Sequence, residues 1–263
     1  MQPDISVIIP TKNSARNLPR LLISLRNQTY KNFETIVVDN NSTDGTEEIA
    51  IAMGSILEKW VSERSASRNR GAETAHSDIL LFLDSDMEPT EHVLERCVSG
   101  MDIADALCIR ESVVAGSNYW ARARAFERDG YFGSLYYEAV RCLSRKAFNE
   151  IGGYDTDLIG LEDLALQARL IEGDFKIGWI NDTILHHEEE VGFRQYLIKR
   201  RLYGSTDKLF SCKYPEYWKR LQSPLQRSKL LLKHYVGKGQ ISDMQYIPAI
   251  MFIRGAEFIA RKH

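Results

Sequence analysis

Two aspartates one residue apart, Asp84 and Asp86, close the apolar run in "SDILLFLDSDMEP", Ser77 to Pro89. Residues i and i+2 of a strand share a face, and just past a strand end both side chains can aim at one point. Carboxylates that close repel, and one takes up a proton unless a cation joins them. A divalent metal whose other ligands are phosphate oxygens meets that demand. Two solvated loop aspartates are the plainer alternative. A second acidic pair, Glu162-Asp163, follows Gly160-Leu161 at the start of a helical pattern, where acidic side chains also simply complement the helix dipole. His186-His187 adds two imidazoles, which suit Mn2+ better than Mg2+.

The elements that must carry these residues alternate in type. Ser6–Ile9 is a short continuous apolar strand ended by Pro10, which cannot donate to a ladder. Leu18, Leu21, Leu22 and Leu25 then recur at helical spacing, with Asn17 and Pro19 suited to the helix start. Thr35–Val38 reads as a second buried strand closing on Asp39, followed by turn residues and a helix with Glu47 and Glu48 in its first turn. A weaker strand is expected near Lys59–Val61, a helix from Ser65 to Ala75, and a fourth strand over Ile79–Leu83. Such alternation implies right-handed crossovers and a mostly parallel sheet covered by helices on both faces. Ligands of such sheets sit at the carboxyl ends of the strands. Pro10-Thr11, Val38-Asp39 and Leu83-Asp84 are three such ends, so the candidate site lies on that edge.

After residue 100 the pattern loosens. Strands are expected at Glu138–Leu143 and Phe175–Ile180, after which Thr183-Ile184-Leu185 leads into His186-His187, with a turn at Ile151–Tyr154 and a helix over Leu161–Ile171. The stretch from Ala104 to Tyr137, with Trp120, Phe126 and Tyr131, is expected to line the side of the site away from the first strands. From Arg194 onward the pattern is mainly helical.

Composition narrows the class. With 44% hydrophobic and 27% charged residues spread along the chain, disorder is excluded and a soluble globular body expected. Cys97, Cys108, Cys142 and Cys212 are far apart and form no CxxC pair, which argues against a zinc site or disulfide framework and for a reducing compartment. Neither a signal peptide nor an apolar run of about 20 residues is visible, so a cytoplasmic protein is expected. The net charge of −2 hides a split: residues 1–193 carry 19 Lys and Arg against 32 Asp and Glu, whereas residues 194–263 carry 15 against 4. Two units follow, an acidic body over 1–193 and a basic helical extension over 194–263, which either docks on the body or a second subunit or meets an anionic membrane. Nucleic acid fits poorly, because the basic residues form no recognised module.

Three segments together resemble family 2 glycosyltransferases of the GT-A fold. They are "SVIIPTKNSARNLPRLLISLRNQTYKNFETIVVDNNSTDGTEEIA", "RSASRNRGAETAHSDILLFLDSDMEP" and "IGGYDTDLIGLEDLALQARL". The resemblance spans residues 4–190 and implies a Rossmann-like sheet binding a nucleoside-diphosphate sugar. By it, Pro10, Thr11 and Asp39 hold the base and ribose, and Arg68 lies near the base and diphosphate. Asp84 and Ser85 face the ribose and metal-bound water, and Asp86, with Asp84, ligates Mn2+ or Mg2+. His186 or His187 is the further metal ligand. Glu162-Asp163 is similar to the family's ED motif, in which Asp163 would be the catalytic base and Glu162 would position the acceptor. The implied reaction is inverting transfer to an acceptor hydroxyl on a glycan or lipid-linked precursor. "FRQYLIKRRLYGSTDKLF" also resembles a segment that follows the histidine in this family. Competing readings are a sugar nucleotidyltransferase, which would want a glycine-rich phosphate loop absent from "IIPTKNSARN", and a non-catalytic sugar-nucleotide-binding protein. A dehydrogenase is disfavoured, since no GxGxxG follows any strand.

Overall fold

The computed structural model of the chain describes residues 2–114, 119–187, 198, 201–238 and 241–260. The first half alternates as expected: β1 (Ile5–Thr11), α1 (Leu18–Arg26), β2 (Phe33–Asp39), α2 (Thr46–Ala52), β3 (Ile56–Lys59), α3 (Arg64–Thr74) and β4 (Ile79–Phe82). The leucines at helical spacing, Leu18, Leu21, Leu22 and Leu25, are all buried against the sheet, with Asn17 at the N-cap and Pro19 in the first turn. Each such side chain contributes about 1.5–3 kcal/mol of transfer free energy. Helix α3 needs the opposite device. Its buried face is built of Ser65, Ser67, Gly71 and Ala72, and a Cβ on Gly71 would lie 2.4 Å from Ile8 Cγ2. The helix can therefore lie flat on β1 and β2, which sinks Arg68, one turn earlier, beneath the strand ends.

Past β4 come β5 (Met87–Pro89), α4 (Val93–Gly100), β6 (Ala106–Val113), α5 (Tyr119–Asp129), β7 (Val140–Ser144), α6 (Arg145–Glu150), α7 (Glu162–Glu172) and β8 (Ile177–His186). All eight strands join one sheet in the order β3-β2-β1-β4-β7-β6-β8-β5. β3, β2, β1 and β4 run parallel, β7 is antiparallel to both β4 and β6, and β8 runs parallel to β6. Apolar residues pack on both faces. Val7 and Ile9 of β1 enter one cluster with α1 and α4, and Ile8 enters the other with Ala72, Leu166 and Leu170.

Several expected boundaries shift. The strand expected near Lys59–Val61 is Ile56–Lys59, because its parallel partner β2 ends at Asp39 opposite Lys59. The strand expected at Phe175–Ile180 begins at Ile177 and runs on to His186 as one strand, β8, carried past an irregular step beside β6. β6 and β5 had no expected counterpart. Short β5 pairs with the last residues of β8, setting Met87 opposite His186.

After a helical stretch at 201–204 come α8 (Asp207–Lys213), α9 (Pro215–Leu221), α10 (Pro224–Lys238) and, after a 3-10 turn, α11 (Ile247–Ala260). Phe210, Tyr214, Tyr217 and Leu221 form a cluster with Ala165 and Ala168 of α7, and Ala249 and Ile250 pack on Ala123 and Phe126 of α5. Both ends of the basic segment thus rest on the acidic body. Among the described residues no helix is long and apolar enough to cross a membrane.

Candidate active site

The carboxyl ends of β1, β2 and β4 open on a cavity of about 690 Å³, walled by Pro10, Thr11, Asp84, Ser85, Asp86, Glu162, Asp163 and His186 among others. Parallel register sets Thr11 beside Asp39, and the Thr11 hydroxyl donates to Asp39 Oδ1 at 2.9 Å. Asp39 itself is fully buried behind this wall, accepting also from the Ser42 backbone N–H and hydroxyl at 2.8 and 2.6 Å. Ser85 donates to the Ser14 hydroxyl across the cavity floor at 3.0 Å.

One guanidinium organises the acidic residues. Arg68 is fully buried, and its Nη2 donates to Asp84 Oδ1 at 2.6 Å, while Nη1 donates to Glu162 Oε1 and Asp163 Oδ1, both at 3.1 Å. Its flat face lies 4.9 Å from the Tyr154 ring centroid. The next residue, Asn69, exchanges hydrogen bonds with the Tyr154 backbone at 2.8 and 2.9 Å, so the "IGGYD" turn is clamped to α3. Asp84 and Asp163 keep 18% and 20% of their side chains exposed, so each offers an edge to the cavity. Leu161 enters α7 at φ 63°, a left-handed conformation that only a constrained turn maintains in a non-glycine residue, and it swings Glu162 and Asp163 toward Arg68.

Electrostatics follow from this geometry. Burial alone would raise the Asp84 pKa, but Arg68, Arg141 and Arg64 outweigh it and hold the carboxyl below its ordinary range. Burial, reinforced by Asp163, raises Glu162 instead. Replacing Arg68 by Met leaves three buried or half-buried carboxylates without their shared cation. The expected cost is about 3–5 kcal/mol at pH 7 in urea unfolding. A depressed carboxyl contributes stability above its unfolded pKa and loses it as pH falls through the folded one. The deficit of Arg68→Met should therefore narrow below about pH 5, toward the ordinary carboxylate range; wild-type stability at pH 7 would contradict the hub.

The second corner forms where β5 meets β8. His186 Nε2 lies 3.2 Å from Asp86 Oδ1, and its Nδ1 faces Glu111 Oε2 at 3.7 Å and Arg128 Nη1 at 3.3 Å. Burial would lower the His186 pKa, yet hydrogen bonds to Asp86 and Glu111 push it up to about 9. His187 turns elsewhere. Its Nε2 meets Glu88 Oε2 at 2.7 Å while its backbone N–H binds the Asp86 carbonyl. Of the two histidines, His186 is the one brought to Asp86. Among the described residues no cluster of three metal-ligating side chains is assembled. A carboxylate and an imidazole facing one another fit a cation whose other ligands come from a diphosphate and water. Glu188–Glu190, a further acidic candidate, lie outside the described residues.

Several wall residues had no place in the sequence reading. Arg64, one turn before Arg68, donates to the Tyr203 hydroxyl at 3.0 Å. Arg141 on β7 gives Nε to Glu111 Oε1 at 2.7 Å, and Arg128 of α5 pairs with the other Glu111 oxygen. The available signal was charge inside apolar strands, Arg110-Glu111 in "ALCIRESV" and Arg141 in "VRCLS". From the stretch expected to line the far side, Ile109, Glu111, Arg128 and Tyr137 reach the cavity. Trp120 instead packs on Phe252, Phe126 on α11 and Tyr131 on Tyr137, because α5 faces the C-terminal helices. Burial raises Glu138, also on the wall, to about 7.

The profile of glycosyl transferase family 2 matches residues 6–154, more than half of the chain. The protein belongs to that family. Among curated relatives, glycosyltransferase AglE of Haloferax volcanii is 41% identical over 106 residues, 37% of this chain and 35% of its own. The pre-mycofactocin glycosyltransferase of Mycobacterium tuberculosis is 27% identical over 235 residues, 81% of this chain and 48% of its own. The chain thus spans less than half the length of these two relatives. In fold it is similar to the mannosyltransferase PcManGT of Pyrobaculum calidifontis in complex with GDP-Man and Mn2+ (TM-score 0.69, 18% identity, covering all of this chain and 86% of that one). It is also similar to S. aureus TarS 1-349 in complex with UDP-GlcNAc (TM-score 0.61, 20% identity, 97% and 81% covered). The sheet is therefore of the GT-A type.

Proposed function

We propose that the chain is a metal-dependent inverting glycosyltransferase that moves a sugar from a nucleoside-diphosphate donor to an acceptor hydroxyl. The observation that carries this reading is the bridging of Asp84 and Asp163 by one buried guanidinium at the mouth of a cavity, in a family 2 chain. Pro10 and Thr11, backed by Asp39, form the wall for base and ribose. Asp84 and Ser85 meet the ribose side, and Asp86 with His186 supplies the protein ligands for Mn2+ or Mg2+. A bound divalent cation acts as a Lewis acid toward the departing diphosphate. An acceptor hydroxyl is far too weak an acid to ionise alone at pH 7, so Asp163 takes its proton as the glycosidic bond forms. Glu162, its carboxyl raised by burial, orients the acceptor. Attack opposite the leaving group inverts the anomeric carbon, and no covalent enzyme intermediate is needed.

Residues 1–193 act as the catalytic domain and 194–263 as a basic extension. Leu225, Leu232 and Val236 are exposed along α10 beside exposed Lys229 and Lys233, and Met251 and Phe252 of α11 join half-exposed Tyr119 and Trp120. Apolar side chains ringed by lysine, with aromatics at the edge, suit the interface of an anionic membrane. The enzyme then works at the cytoplasmic face on a lipid-linked or glycan acceptor. Flotation with vesicles containing anionic lipid should carry the protein upward, less so in high salt; full recovery in the soluble fraction contradicts the membrane reading.

The transfer itself is tested by incubating the protein with Mn2+ and UDP-, GDP- and dTDP-sugars. Release of nucleoside diphosphate from one donor, with a product of inverted anomeric configuration by proton NMR, is the expected result. Pyrophosphate release from a nucleoside triphosphate would favour a sugar nucleotidyltransferase instead, and no turnover of any donor would favour a non-catalytic binding protein.

A further inference from the structure

We propose that Glu111 is a positioning residue that sets both corners of the site at once, fixing the His186 ring on one side and the Arg141 guanidinium on the other. The inference rests on the transferase reading above. Glu111 lies within β6, two residues before its end, and is 8% exposed, with no apolar reason to be there. Its Oε1 accepts from Arg141 Nε at 2.7 Å, and its Oε2 pairs with Arg128 Nη2 and lies 3.7 Å from His186 Nδ1. The opposite nitrogen of the same ring, Nε2, is the one turned to Asp86. A ligating imidazole holds its remote N–H on a carboxylate or carbonyl, which fixes the tautomer and the ring plane. Glu111 is the carboxylate beside that nitrogen, 3.7 Å away and short of a hydrogen bond, with Arg128 Nη1, which can only donate, at 3.3 Å; a proton on Nδ1 must therefore draw Glu111 in and turn Arg128 aside.

The other oxygen acts on Arg141. With Nε tied to Glu111, Arg141 Nη1 projects between Asp163 Oδ2 at 3.5 Å and Asp84 Oδ2 at 3.7 Å. Among the described residues that buried Nη1 has no hydrogen-bond partner. Orphaned buried donors are rare and mark strained or functional positions. Catalytic contacts are often long before substrate binds and tighten afterwards. Arg141 is thus aimed at the carboxylate assigned as base and at the one beside the ribose. Neutralising buried Arg141 and half-buried Arg128 would by itself require only a negative charge; the two separate oxygens, one toward each corner, are what a positioning role adds.

Electron paramagnetic resonance of Mn2+ in the presence of a nucleoside diphosphate tests this with the full chain. Glu111→Asp keeps the charge but withdraws both oxygens by one methylene. It should melt near wild type yet bind Mn2+ roughly 10–100-fold more weakly, the usual effect of losing such an outer carboxylate. Arg141→Lys should hold Mn2+ within threefold of wild type while lowering kcat at unchanged donor KM. Wild-type Mn2+ affinity in folded Glu111→Asp would overturn the assignment. Should that variant not fold, nitrogen NMR of the wild-type His186 ring with Mg2+ decides: Nδ1 protonated and Nε2 bare supports the role, and a bare Nδ1 overturns it. Failure of the wild type to bind Mn2+ at all would instead overturn the transferase reading beneath it.

Discussion

Asp163→Asn should lower the rate of sugar transfer by roughly 10²–10⁴-fold, the usual worth of a positioned general base. The amide keeps the size of the side chain and an oxygen for Arg68 Nη1, now 3.1 Å from Asp163 Oδ1, but turns its NH2 toward Arg141 Nη1, now 3.5 Å from Oδ2, so melting is measured beside the rate to separate the proton acceptor from the scaffold. Donor binding should stay within a few-fold of wild type, because the nucleotide wall around Pro10, Thr11 and Ser85 is built from other strands. Steady-state rates paired with donor affinity separate the two quantities. A variant transferring within threefold of wild type would remove Asp163 from the base role.

The second large effect is expected at Asp86. Its side chain is 30% exposed and its described ionic partner is His186, so truncation to Ala should cost about 1–2 kcal/mol, the lost partner of a buried imidazole, and leave the protein folded. The catalytic cost is of another order. Losing a carboxylate from a Lewis-acid site forfeits several kcal/mol of transition-state stabilisation, on the order of a 10³-fold fall in rate. Asp84→Asn is a less clean probe, since it also breaks the Arg68 hub. The informative pattern is therefore Asp86→Ala: folded, and inactive with Mn2+ or Mg2+. Full activity would move the cation elsewhere.

Much of the site was legible because its parts are local. β1, β2 and β4 are continuous apolar runs, and each ends in a polar residue whose place at the sheet edge follows from parallel topology. Asp84, Asp86 and Glu162-Asp163 announce themselves as acidic pairs at element ends. What the sequence hid is pairing across distance. Glu111 and Arg141 sit on neighbouring strands 30 residues apart, and nothing in either segment names the other. Arg68 was read as facing the nucleotide, but the small-residue face of α3 draws it under the sheet edge to carry three carboxylates. His186 could not be told from His187 by order alone. The three-residue β5 settles their directions, and a strand that short has no period to read. The aromatics of α5 misled for a similar reason, since their partners lie more than 100 residues further on, in α11.

The proposed transfer depends on a cation held by Asp86 and His186 against a sugar nucleotide's diphosphate. Titration calorimetry of the wild type with UDP-, GDP- and dTDP-sugars, with and without Mn2+, measures that dependence directly. The expected result is uptake of at least one of them that requires Mn2+ and disappears in Asp86→Ala. Uptake of none in the presence of Mn2+, or uptake indifferent to both the metal and the substitution, would contradict it.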